Sequence, residues 1–272
     1  MGASKPTRNN IIQELMRPIR RRRFVESVRP SDVFLVTYPK SGTTWVGFLL
    51  ANLIHGKQEP PLNLRTYLKY IPDINNSYFD GSNLSCYSDM PDPRFFSTHA
   101  PYEPAFSKVI YVIRDPRDVL VSYWHHTKVM KPWFKLTIDE YIVNGQHWPN
   151  SWHEHVAGWV LGGHRNVFVV RYEDLKKGPV DTVKKMLDFV DFPYDEELIM
   201  HAVNTSRFEK MKSLEEKYGS GQHNDSLKGF IRQGKTGSWR DEISHETLVA
   251  LEKKFGFVMK AVGYELTTEQ ST

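Results

Sequence analysis

Short β-branched runs alternate along the chain with longer stretches in which apolar residues recur every three or four positions. The runs Val33–Tyr38, Val109–Ile113 and Val167–Arg171 read as buried strands. Helices are expected over about 43–54, 116–129, 137–145, 151–161, 179–190, 195–203 and 245–256. Strands separated by helices imply parallel pairing with crossover connections. The expected fold is therefore α/β, a single domain with a central parallel β-sheet flanked by helices. Residues 56–94, rich in Pro, Asn and Ser, read as loops and short helices over the sheet, and 213–238 as a Gly-rich, charged loop of the kind that covers a ligand. No repeat or low-complexity tract divides the chain, so 30–272 is expected to be one domain preceded by an arm, 1–29.

The 272 residues carry a net charge of +4. Eight bases in the first thirty positions (Lys5, Arg8, Arg17, Arg20 to Arg23, Arg29) face only Glu14 and Glu26, so this segment holds +6 and the rest of the chain −2. A polyanion-binding surface is thus not a property of the body, and no nucleic-acid partner is expected. Within the arm, Ile11, Ile12, Leu15 and Ile19 share a helical face among arginines, as in a transit peptide or a membrane-surface helix, but Pro18 argues against both. The alternatives are a solvated arm and a helix packed on the body. A single cysteine, Cys86, forms no intramolecular disulfide, and no apolar run reaches the roughly 18 residues of a membrane span. The expectation is a cytoplasmic protein without a membrane span.

Three segments carry candidate chemistry. The first runs from the strand at 33 through Tyr38-Pro39-Lys40-Ser41-Gly42 into a helix beginning near Thr43. Backbone N–H groups at a helix N-terminus, a Gly that permits close approach, the Lys40 charge and the Thr43 and Thr44 hydroxyls together make a phosphate-loop layout. Lys precedes the only Gly, unlike the nucleoside-triphosphate loop, in which the glycines come first. Trp45 reads as core or as a platform for an aromatic base. The second segment ends a strand at Arg114, where open α/β sheets bind ligands, and starts a helix with Asp115 as N-cap, Pro116 at N1 and Asp118 at N3, near a capping box. Ser122 follows about two turns in. The third, Phe230 to Arg240, combines Arg232, Gln233, Gly234, Lys235 and Arg240 in a loop able to close over a phosphate or to remain a surface turn.

Taken together, Tyr-Pro-Lys-Ser-Gly-Thr-Thr-Trp at 38–45, Arg-Asp-Pro-Arg-Asp-Val-x-Val-Ser-Tyr at 114–123, Phe-Val-Val-Arg-Tyr-Glu-Asp-Leu at 168–175 and Arg-x-Gly-x-x-Gly-x-Trp at 232–239 resemble, in order and spacing, the cytosolic sulfotransferases. The resemblance runs from about residue 30 to 265. It implies 3′-phosphoadenosine 5′-phosphosulfate (PAPS) as donor, adenosine 3′,5′-bisphosphate (PAP) as product, and no metal. By resemblance, Lys40, Ser41, Gly42, Thr43 and Thr44 hold the 5′-phosphosulfate in a P-loop-like phosphosulfate-binding loop. Arg114, Ser122, Arg232, Gln233 (in place of the family's usual Lys) and Gly234 hold the 3′-phosphate. Trp45 and Phe208 flank the adenine, to which Tyr172 and Ser206 hydrogen-bond. His99, in Phe-Ser-Thr-His-Ala-Pro, matches the catalytic histidine; Lys40 and Ser122 complete the expected catalytic set. The other histidines, His125, His126, His153 and His155, read as structural.

Two positions depart from the family pattern. Ser97 stands where many relatives carry a Lys, which implies a lower intrinsic rate or a substitute cation such as Lys128 or Lys131. Residues 240–249 lack the short dimer motif, so a monomer or weak dimer is expected. The small-molecule acceptor is expected among loop aromatics: Tyr78, Phe79, Tyr87, Trp133, Phe134, Trp148 and Trp152. Two other classes compete with an active enzyme: a nucleotide-binding pseudo-sulfotransferase, motivated by Ser97, and a P-loop kinase, opposed by the Lys-before-Gly order.

Overall fold

Five consecutive buried residues, Val33–Thr37 (β1), form the centre of a parallel sheet. They lie in a computed structural model that describes residues 21–75, 85–145, 147–220 and 231–268. Its order is β2-β1-β3-β4, with β2 at Phe95–Thr98, β3 at Lys108–Ile113 and β4 at Val167–Arg171. All three pairings are parallel; Val36 sits between Thr98 and Tyr111, and Ile113 opposite Arg171. Parallel strands buried on both faces read as continuous apolar runs, which is why β1 and β3 were legible; β4, an edge strand only partly buried, was legible from its run of β-branched residues. The fourth, β2, was not expected as a strand. Its four residues end in Ser97 and Thr98, and it is recognisable only through its pairing with β1.

Besides residues 21–26 and a four-residue helix at Ser85–Ser88, the α-helices among the described residues are α1 (Thr43–His55), α2 (Pro116–Met130), α3 (Ile138–Asn144), α4 (Trp152–Val156), α5 (Tyr172–Lys177), α6 (Pro179–Val190), α7 (Glu196–Thr205), α8 (Phe208–Tyr218) and α9 (His245–Ala261). The expected 151–161 helix is α4 continued by a wider π turn, Ala157–Leu161. The segment expected as loop from 213 is, up to Tyr218, the end of α8, whose buried Met211 and Glu215 anchor it. Residues 221–230 lie outside the described residues. Two apolar clusters pack on either side of the sheet, one around Phe34, Phe96 and Trp159, the other around Leu35, Phe48 and Leu187. Among the described residues no helix is long and apolar enough to cross a membrane.

The expected arm meets the body at residues 21–26, which are helical. Phe24 is 2% exposed and sits edge-on to Phe96 and Phe106. Arg21 pairs with buried Glu103, and the buried Arg94–Asp32 pair holds the Ser27 carbonyl. The apolar stripe at Ile11 to Ile19 lies outside the described residues.

Candidate active site

The carboxyl ends of all four parallel strands open on one edge of the sheet, and each delivers one part of the site. β1 leads into the loop Tyr38 to Gly42, β2 into His99, β3 into Arg114 and β4 into Tyr172. This is the edge at which open α/β sheets take ligands.

In the first loop Lys40 has φ 70° and Gly42 φ 109°, so the chain reverses within a few residues and enters α1 with no side chain capping the helix. The first-turn amides of α1 are thus left to face a ligand. A Cβ on Gly42 would lie 2.8 Å from the Tyr172 ring, so the glycine is what lets the loop close onto the start of α5. Ser41 is fully buried, yet its hydroxyl has no partner among the described residues. Burial, reinforced by the Arg114 cation, pulls the Lys40 ammonium down to about 8.

Arg114 joins three segments. Its guanidinium donates to the carbonyls of Lys40 (3.1 Å) and Lys235 (2.9 Å) and lies 4.5 Å over the Tyr172 ring, while its Nε is buried with no partner among the described residues. Trp45 meets Tyr172 edge-on at 5.3 Å. Gly234, at φ 58°, lies against Phe208 so closely that a Cβ would fall 2.6 Å from the ring, and Lys176 donates to the Gly234 carbonyl. Ser206, fully buried at the end of α7, also has a hydroxyl with no partner among the described residues. Ser122 is half-buried on α2, one turn before His126, whose ring burial and the Lys40 charge pull down to about 4. Arg232 pairs with Glu242 at 2.9 Å, and Gln233 is exposed.

Asp115 caps α2 through Arg117 N, but Asp118 does not complete a capping box. Its carboxylate instead accepts from the backbone N–H groups of Gly237 and Trp239, tying the third loop to the second.

His99 is fixed from both sides. Its backbone N–H donates to Asn75 Oδ1 at 2.7 Å. Its Nδ1 lies 2.8 Å from the Thr37 carbonyl, which can only accept, so Nδ1 carries the proton and Nε2 keeps a lone pair. Burial holds the ring below the usual imidazole range, against the opposing pull of the Thr37 carbonyl and Asp73. Thr37 Oγ1 meets Thr43 Oγ1 at 2.5 Å and His99 Nδ1 at 3.1 Å, so one side chain touches both the anion-loop helix and the imidazole.

Of the expected acceptor aromatics, Trp148 stands edge-on to His99 at 5.8 Å and is 45% exposed. Trp152 and Tyr87 are core residues, packed against Phe255 and Phe96 respectively, and Trp133 is 74% exposed. Tyr78 and Phe79 lie outside the described residues. Tyr38, 1% exposed, packs behind the loop, its hydroxyl donating to the Asn150 carbonyl and its ring edge-on to Tyr123. Lys128, offered as a substitute for the charge absent at Ser97, lies over the Trp124 ring at the far end of α2.

Residues 30–263 match the sulfotransferase domain family. Mouse sulfotransferase 2A6 is 31% identical over 245 residues, 84% of each chain. Cytosolic sulfotransferase 12 of Arabidopsis thaliana is 27% identical over 266 residues, 88% of this chain and 81% of that one. Among solved structures, retinol dehydratase in complex with androsterone and inactive cofactor PAP superposes with a TM-score of 0.67 at 25% identity, covering 89% of this chain and 84% of that one. Mouse SULT7A1 complexed with PAP shares the fold, with a TM-score of 0.68 at 24% identity over 92% of this chain and 91% of its own.

Proposed function

The chain belongs to the sulfotransferase family, and on that premise we propose that it transfers a sulfuryl group from PAPS to a hydroxyl or amine of a small-molecule acceptor, with His99 as general base. The observation that carries this reading is the Thr37 bridge, which puts an imidazole with an unprotonated Nε2 beside an uncapped anion loop. The donor fits the residues present: Ser41 Oγ, Ser206 Oγ and Arg114 Nε are buried polar atoms with no partner among the described residues, and Gly42 and Gly234 keep clear the space a Cβ would take.

When bound, PAPS supplies an activated sulfuryl group whose transfer, like phosphoryl transfer, depends on positioning and charge stabilisation. Lys40, Ser41, Gly42, Thr43 and Thr44 hold the 5′ end; Arg114, Ser122, Arg232, Gln233 and Gly234 hold the 3′-phosphate; Trp45, Tyr172, Ser206 and Phe208 hold the base. His99 Nε2 accepts the acceptor's proton while Nδ1–H stays on the Thr37 carbonyl. Lys40 stabilises the charge left on the phosphate oxygen. Trp148 lines the acceptor's approach to His99. In this reading 30–272 is the sulfotransferase domain and 1–29 a basic arm docked through Phe24, in a cytoplasmic monomer or weak dimer.

The test compares thermal shifts with PAP, with ATP plus magnesium, and with buffer, then measures transfer from PAPS to 4-nitrophenol, an aliphatic alcohol, a steroid alcohol and an aromatic amine. PAP stabilisation with transfer to one of these acceptors is expected, and His99→Ala abolishes transfer while leaving PAP binding intact. Stabilisation by ATP plus magnesium alone overturns the reading in favour of a kinase. PAP binding without transfer to any acceptor overturns it in favour of a pseudo-enzyme.

A further inference from the structure

A second histidine, away from the donor loops, grips the backbone that carries His99. His155, on α4, is 1% exposed. Its Nε2 lies 3.2 Å from the His99 carbonyl and 3.0 Å from the Ala100 carbonyl, and its Nδ1 lies 2.8 Å from the Tyr111 hydroxyl. Carbonyls only accept, so Nε2 carries the proton and shares it between the two, and Nδ1 is left to accept from Tyr111 O–H. Two tyrosine rings flank the imidazole, Tyr111 at 5.7 Å and inclined by 30°, and Tyr38 edge-on at 5.6 Å. Tyr111 belongs to β3, three residues before Arg114, so an unbroken hydrogen-bond chain runs from the strand that positions Arg114, through His155, to the peptide of His99.

We propose that His155 is a positioning residue for sulfuryl transfer, locking the His99–Ala100 backbone so that the His99 ring keeps Nδ1–H on the Thr37 carbonyl and Nε2 toward the acceptor. The distribution of partners separates this role from plain stability. The Ala100 carbonyl also receives Trp159 Nε1–H at 2.9 Å, so that half of the grip survives without His155. The bond from His155 is the side-chain donor that holds the His99 carbonyl itself. Removing the donor therefore frees the peptide of the base more than it loosens the fold, and small misplacements of a reacting group have large kinetic effects.

Two near-isosteric variants divide the ring's functions. In His155→Gln the amide nitrogen reaches the Nε2 position and keeps the donor to the carbonyls. In His155→Asn the amide oxygen reaches the Nδ1 position and keeps only the acceptor for Tyr111. The inference rests on His99 as general base, so His99→Ala runs alongside. Measured with PAPS and the panel acceptor of highest turnover, His155→Asn is expected to lower kcat roughly 10- to 100-fold with KM for PAPS and PAP affinity within about twofold. His155→Gln is expected to stay within about threefold of the wild type. In proton NMR the His99 Nδ1–H, held on the Thr37 carbonyl, is expected to exchange slowly in the wild type and the Gln variant and faster in the Asn variant. Equal kcat and equal Nδ1–H exchange in a folded His155→Asn protein overturn the inference, as does a Gln variant no better than the Asn variant. Transfer that survives His99→Ala overturns the underlying base assignment instead.

Discussion

Arg232 and Glu242 form an ion pair of 2.9 Å, and Glu242 is shared with His125 Nε2. The carboxylate therefore already matches the guanidinium proposed for the donor's 3′-phosphate. Removing this competitor without removing Arg232 favours the nucleotide. The pair is only partly shielded, with side chains 26% and 22% exposed, so its worth is set at about 1 kcal/mol, roughly fivefold in affinity. Glu242→Gln is expected to tighten PAP binding by about that factor and leave adenosine 5′-monophosphate, which lacks the 3′-phosphate, unchanged. Calorimetric titration of both nucleotides checks it. Arg232→Ala should weaken PAP binding and cancel the effect of the Gln substitution; weaker PAP binding in Glu242→Gln would make Glu242 a support for Arg232 rather than a rival.

Lys40 yields a pH dependence. Burial and Arg114 place its ammonium at about 8 in the free protein. The dianionic 5′-phosphate of PAP binds the protonated form better, so affinity is full below that value and falls as pH rises through it. PAP affinity should decline between pH 8 and 9.5, approaching tenfold per unit, and Lys40→Arg should flatten the profile because guanidinium stays charged. A flat wild-type profile over that range would show that Lys40 does not carry the interaction.

Thr37 joins the anion-loop helix to His99 through one hydroxyl. Thr37→Val keeps the backbone carbonyl that fixes the His99 tautomer and removes only the bridge. At about 1 kcal/mol for a hydrogen bond, turnover should fall roughly fivefold and recover in Thr37→Ser. Steady-state kinetics decides it: turnover within about twofold of wild type in the Val variant would make the bridge incidental.

Much of this site was legible because its residues fall in continuous segments whose local physics is strong. A β-branched run into Lys40, Ser41 and Gly42 announces both a strand and an anion loop, and Asp115-Pro116 starts a helix whatever surrounds it. What stayed hidden depends on partners distant in sequence. β2 is a strand only because β1 pairs with it. Asp118 looks like a capping residue until loop 237–239 claims its carboxylate. Trp148 and Trp152 look alike in sequence, yet one is 45% exposed beside His99 and the other fully buried against Phe255. His155 reads as a core histidine, and only the structure reveals that the carbonyls it holds belong to His99 and Ala100.

Gly234 couples backbone conformation to the proposed adenine slot. Its φ of 58° is left-handed, and a Cβ there would lie 2.6 Å from Cδ2 of Phe208. Alanine would bring both the left-handed penalty, about 1 kcal/mol or more, and a clash relieved by rotating the Phe208 ring or lifting the loop. Either movement changes the wall against which the base would stack and breaks the register that lets Arg114 hold the Lys235 carbonyl at 2.9 Å. Gly234→Ala is therefore expected to weaken PAP by roughly tenfold or more while the melting temperature of the ligand-free protein changes little, since the loop packs on the site rather than on the core. Combining it with Phe208→Leu, which clears the clash, should restore part of the PAP affinity. Equal losses in the single and double variants would place the defect in the loop backbone alone and remove Phe208 from the nucleotide site.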